Sequence, residues 1–178
     1  MQRLRAAITL FVAACGATAA AANSLTIGNT TFDFDAPAAP LTAAQQALFH
    51  RYKDAVDRQD ETALMALQDD SIKSCAAIAR PLILSDLRRT IPDDAEGRFF
   101  AAPPELIKQM GVGELMYLPV RPTAVLGISG RARSGGGAAE VVTILRLVRQ
   151  TGDRFTLVPY CLTEKGAALV EPKPAPPW

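Results

Sequence analysis

The chain has 178 residues with 19 basic and 18 acidic side chains, one histidine and three cysteines. Charge this evenly balanced makes no field for a polyanion, so nucleic acid is excluded as an expected partner. One histidine gives a Ser/His or Cys/His arrangement little to draw on.

Residues 1–22 read as a secretory signal peptide. Arg3 and Arg5 form a positive start, Ala6 to Ala14 an uncharged apolar run, and Ala20-Ala21-Ala22 the small-x-small pattern that a signal peptidase accepts. Removing Arg3 and Arg5 leaves 17 basic against 18 acidic side chains, a net charge of −1. The expected location is periplasmic or secreted. No later stretch approaches the ~20 apolar residues of a membrane span, so the mature chain is expected to have none. A second reading of the same start is open. Val12-Ala13-Ala14-Cys15-Gly16 resembles the lipobox of bacterial lipoproteins, which would acylate Cys15 and anchor the protein at the cell envelope. Residues 23–40 then serve as a tether or as an ordered N-terminal arm.

A helix is expected over 43–58. Thr42 and Gln45 have capping-box spacing, and Leu48, Tyr52, Ala55 and Val56 fall on one face with Phe49 at its border. Asp60 caps a second helix from Glu61 to about Gln68. The segments 72–79 and 82–91 are apolar enough for helices separated by Pro81. Pro103-Pro104-Glu105 opens a further helix that Gly111 ends.

After Gly113 the pattern turns to period two. A strand is expected over 117–129, bent near Pro119 and Pro122. Residues 130–137 (GRARSGGG) read as a flexible loop, 140–149 as a central strand, 150–153 as a tight hairpin and 155–162 as the next strand. The tail 171–178 is proline-rich and expected to be extended or disordered. Cys75 and Cys161 form an even pair in an exported domain, which predicts a disulfide and not a zinc or redox motif.

Two helices carrying LFHRYKDAVDRQDETALMAL, then a third, then strands ending VVTILRLVRQTGDRFTLVPYCL, are similar to the ketosteroid-isomerase-like (nuclear-transport-factor-two-like) superfamily. The resemblance spans about Leu41 to Leu162 and rests on element order. The residues read as a single α+β domain over 41–170, and the resemblance implies N-terminal helices on a curved antiparallel sheet in a cone-like, cystatin-like arrangement. It implies a ligand-sized pocket, not an activity. No position matches a family catalytic motif.

Other candidate chemistry is thin. His50, Asp54 and Asp57 share one helix face, as expected of a solvated surface; a metal site would need more converging ligands. Neither Ser129-Gly130 nor Ser134-Gly135 makes a nucleophile elbow. The glycine loop lacks the G-K-[ST] ending of a phosphate cradle, although Arg131 and Arg133 could meet an anion there. Asp93, Asp94 and Glu96 do not have calcium-loop spacing. Phe99 and Phe100 are expected to plug the core or a cavity mouth. Cys75 could act as a nucleophile only if reduced. No catalytic, cofactor or metal residue is assigned. The expected function is a non-catalytic binding or accessory domain, taking a small apolar ligand or an envelope protein partner. The alternatives are a small cone-pocket enzyme of isomerase, dehydratase or hydrolase type, and a structural envelope protein.

Overall fold

The computed structural model describes residues 24–27, 30–34, 39–109, 113–133 and 139–170. Residues 1–23 with the expected signal segment and Cys15, Gly111, Ser134 to Gly137 and the tail 171–178 lie outside the described residues.

The fold is α+β, as expected. It opens with an antiparallel hairpin, β1 (Ser24–Ile27) and β2 (Thr30–Asp33). Phe32 and Phe34 are buried, so the described part of residues 23–40 is an ordered arm built into the core. Helix α1 (Ala43–Asp57) begins at the expected capping box. The Gln45 amide donates to Thr42 Oγ1 at 3.3 Å and the Thr42 amide donates to Gln45 Oε1 at 2.9 Å. Its predicted apolar face, Leu48, Phe49, Tyr52, Ala55 and Val56, is buried throughout. Gln59 takes the left-handed conformation (φ 53°), which turns the chain sharply into α2 (Glu61–Ala66). Asp60 caps that helix through the Ala63 amide at 2.9 Å.

Residues 72–91 depart from the two expected helices. They form a 3-10 turn (Asp70–Ser74), strand β3 (Ala77–Ile78), the short helix α3 (Arg80–Leu84) and a second 3-10 turn (Ser85–Arg88). Apolar content was a poor guide here because tertiary ties decide the backbone. Cys75 is bridged to Cys161, and Ala77 and Ile78 pair with Leu162 and Cys161, which draws the chain out straight. Pro81 sits in the first turn of α3, where its missing N–H costs nothing.

Next come β4 (Glu96–Ala101), α4 (Pro104–Gln109), β5 (Met116–Tyr117), β6 (Ala124–Arg133), β7 (Ala139–Thr151), β8 (Arg154–Leu157), β9 (Cys161–Leu162) and α5 (Glu164–Val170). The expected strand over 117–129 is interrupted across Pro119 and Pro122, which cannot donate to a ladder. The expected loop at 130–137 begins later than predicted, since Gly130 to Arg133 still pair with Val142 to Ala139. The expected strand over 155–162 breaks at buried Pro159, and its last two residues join another sheet. The strand β4 and the helix α5 are additions to the elements expected from sequence.

The main sheet is antiparallel in the order β4-β6-β7-β8. Period-two alternation gives each face its own core. On one side Phe99, Leu126, Ile128, Ile144, Val148 and Leu157 meet α1 and α2. On the other, Phe100, Val125, Leu145 and Leu147 meet Phe32 and Phe34 of the hairpin and Leu106 of α4. Gly127 is needed on this second face, because a Cβ there would stand 2.7 Å from the Phe34 and Phe100 rings. A smaller sheet, β3-β9-β5, carries the Cys75–Cys161 disulfide, with the Cα atoms 5.3 Å apart. The bridge expected from sequence is therefore present. Among the described residues, no helix is long and apolar enough to cross a membrane.

Candidate binding cavity

Strand β7 is longer than the neighbour it pairs with at the sheet edge. β8 pairs with it only over Val148–Thr151, and a bond from the Val158 amide to the Leu147 carbonyl (2.9 Å) extends the contact by one residue. The chain then turns away through Pro159 to β9. Between that turn, α3 with its following 3-10 turn, and the freed edge of β7 lies a cavity of about 410 Å³. Leu82, Ile83, Leu145, Leu147, Leu157 and Val158 give it a largely aliphatic wall.

The polar part of the wall centres on Arg146. It occupies a position on β7 whose same-face neighbours, Ile144 and Val148, are buried core residues. Its guanidinium is fixed at several points: Nε donates to Asp86 Oδ2 at 2.6 Å, Nη2 pairs with Asp86 Oδ1, and Nη1 donates to the Leu145 carbonyl. It also lies over the Tyr52 ring, with Cζ 5.9 Å from the ring centroid. Asp86, 4% exposed, is held in place by the 3-10 turn after α3. Arg89, one turn on, brings its Nε to 3.3 Å from Asp86 Oδ1 and keeps nearly half of its side chain (46%) exposed. Two guanidinium groups thus share one carboxylate, and the cavity wall keeps one positive charge in excess. Burial raises the pKa of both Tyr52 and Tyr160, and the nearby Arg146 charge works against that rise. Tyr160 lines the cavity and remains a hydrogen-bond donor at neutral pH.

A second buried aspartate is built differently. Asp69 Oδ1 accepts from the Ser71 amide at 3.0 Å and from Arg149 Nη1 at 3.3 Å, and Oδ2 accepts from the Thr156 hydroxyl at 2.9 Å. Burial pushes its pKa up. The hydrogen bonds of Ser71 and Thr156 and the Arg149 charge outweigh that push, and the carboxyl ends below its usual range. The Asp69 amide also donates to the Leu157 carbonyl at 2.7 Å, tying the end of α2 to β8.

The residues singled out from sequence fall elsewhere. Cys75 is committed to the disulfide and is no nucleophile in this form. His50 is exposed with its ring against Phe49, while Asp57 pairs with Lys53 at 2.6 Å. Asp54 is exposed as well, and no group of three or more His, Cys, Asp or Glu able to hold a metal occurs among the described residues. Asp94 accepts from the Arg131 amide at 3.1 Å, so it braces β6. The Arg133 side chain and Cys15 lie outside the described residues. Phe99 and Phe100 point to opposite faces of the sheet: Phe99 packs with Phe155, Phe100 with Phe32 and Phe34.

Sequence reasoning missed Arg146, Asp86, Arg89 and Tyr160. One signal was available. Arg146 interrupts the apolar run VVTILRLV at a core-facing register, and a cation there needs a partner. Compared with protein-family models, curated proteins and solved structures, the chain has no significant match.

Proposed function

We propose that this protein is an exported binding module, periplasmic or secreted, that holds a small and mainly apolar molecule beside the free edge of β7. The observation that carries this reading is the 410 Å³ cavity with its aliphatic wall, within the size range of small-molecule sites. The signal-like start and the Cys75–Cys161 bridge support export. Acylation of Cys15 would place the same module on the envelope surface. Membership of the ketosteroid-isomerase-like superfamily, with a cone-shaped sheet, belongs to this reading and is supported by the order of helices and antiparallel strands. The enzyme alternative is disfavoured because the one carboxylate in the cavity wall, Asp86, has both oxygens engaged by guanidinium groups and offers no free base.

Native mass spectrometry of the protein recovered from its own host tests the reading. A retained small molecule is expected, lost when Leu82→Trp fills the cavity mouth. Unchanged retention in that variant would move the site elsewhere.

A further inference from the structure

We propose that the ligand is a hydrophobic monoanion, with its apolar body on the aliphatic wall and a single carboxylate-type headgroup on Arg89. This deepens the binding reading above and rests on it.

The argument is one of charge and geometry. The cavity wall contains two guanidinium groups and one carboxylate, so an anionic headgroup would complete a charge balance that a neutral ligand leaves to solvent. All three nitrogens of the Arg146 guanidinium are tied, two to Asp86 and one to the Leu145 carbonyl, which makes it a fixed post. Arg89 approaches the same carboxylate through Nε at 3.3 Å. Its side chain stands 46% exposed at the mouth. A guanidinium presented this way matches a carboxylate in a two-point fork. Asp86 orients that fork before any ligand arrives, which lowers the ordering cost of binding. The Tyr160 hydroxyl, on the same wall, supplies a further donor. Leu82, an exposed aliphatic side chain, lines the cavity with these groups and offers the first apolar contact. A cationic amphiphile would meet repulsion from Arg89 and Arg146 with no free acid to receive it.

Calorimetric titration of the processed protein with decanoate, decanol and decyltrimethylammonium, all below micelle formation, separates the cases. Decanoate is expected to bind about tenfold more tightly than decanol, with the ammonium compound weakest. Arg89→Met should lower decanoate affinity about tenfold and leave decanol within about twofold, and Arg89→Lys should fall between. Leu82→Trp should weaken both. Equal affinities for decanoate and decanol would overturn the headgroup assignment and leave the binding reading standing. No binding of any of the three would sink the binding reading itself. A short peptide with a free C-terminal leucine binding more tightly than decanoate would also overturn the proposal, since the site would then belong to a protein terminus.

Discussion

Asp69 and Asp86 are both buried, and each meets an arginine of β7, yet they are built for different ends. Asp69 shares its oxygens among one cation, a backbone amide and a hydroxyl, all provided by elements it fastens together. Removing the cation would still leave a satisfied carboxylate. Asp86 has guanidinium partners, Arg146 and Arg89, and it borders a cavity. The first arrangement closes on itself, as a structural joint should. The second leaves positive charge unspent beside a largely aliphatic cavity, whereas the hollow of about 450 Å³ beside Asp69 is lined by polar side chains whose charges balance, Asp69 and Asp70 against Arg149 and Arg154. Local charge balance therefore separates a joint from a site better than burial does, because the two aspartates are 7% and 4% exposed.

The largest effect should come from the disulfide that bounds one side of this contrast. Cys161 follows Tyr160 directly, so the bridge secures the cavity wall and leaves the Asp69 joint to its own bonds. Closing a loop across a separation of 86 residues is worth roughly 4–5 kcal/mol by chain entropy. Cys75→Ser with Cys161→Ser should lower urea stability by about that amount. Hydrogen exchange should rise around β9 and stay low at the Asp69 amide. Equal loosening at both places would break the contrast.

Substituting the two aspartates probes it next. Asp86→Asn leaves two guanidinium groups without a counter-charge and should cost about 3 kcal/mol, less in high salt. Asp69→Asn keeps an oxygen for the Ser71 amide or the Thr156 hydroxyl and should cost about 1–2 kcal/mol with little salt dependence. The two variants should differ in denaturation midpoints measured at two ionic strengths. Matching costs and matching salt slopes would remove the distinction.

Acid adds a sharper test of Asp69. Its folded pKa is depressed, so the stability it contributes is complete above the unfolded value of about 4 and is lost as pH falls through the lower folded value. Wild-type stability should drop from pH 5 to pH 2.5, and Asp69→Asn should flatten part of that drop. An unchanged acid limb in the variant would mean that other carboxylates carry it.

How much of this was legible in the sequence follows from where the determinants lie. The start of α1, the Asp60 cap, the apolar face through Tyr52 and the central strand β7 depend on neighbours within a few residues, and the periodicity displays them. Residues 72–91 do not. Their path is set by Cys161 and β9, about eighty residues away, so an apolar run that could have been helical became turns and a strand. The break at Pro159 is a local signal, masked in the sequence by the apolar residues on either side of it. The site was the least legible part. Asp86 and Arg146 are sixty residues apart and meet only because α3 folds against β7. Only Arg146 advertised itself, as a cation inside an apolar alternation.

The smallest expected effect decides the most about that site. Arg89 is nearly half exposed, and its guanidinium stands 3.3 Å from a carboxylate already held at both oxygens by Arg146. A surface guanidinium in that position contributes little to folding, typically under about 1 kcal/mol. Arg89→Gln should therefore leave the thermal midpoint almost unchanged, within about two degrees. Arg146→Gln strips Asp86 of its main partner and should cost several times as much. If Arg89 proves as costly to replace as Arg146, the two arginines and Asp86 form a structural joint as Asp69 does, and the excess charge is spent on the fold. If Arg89 is dispensable for stability, a half-exposed cation held at an aliphatic cavity has been left for something outside the chain to meet.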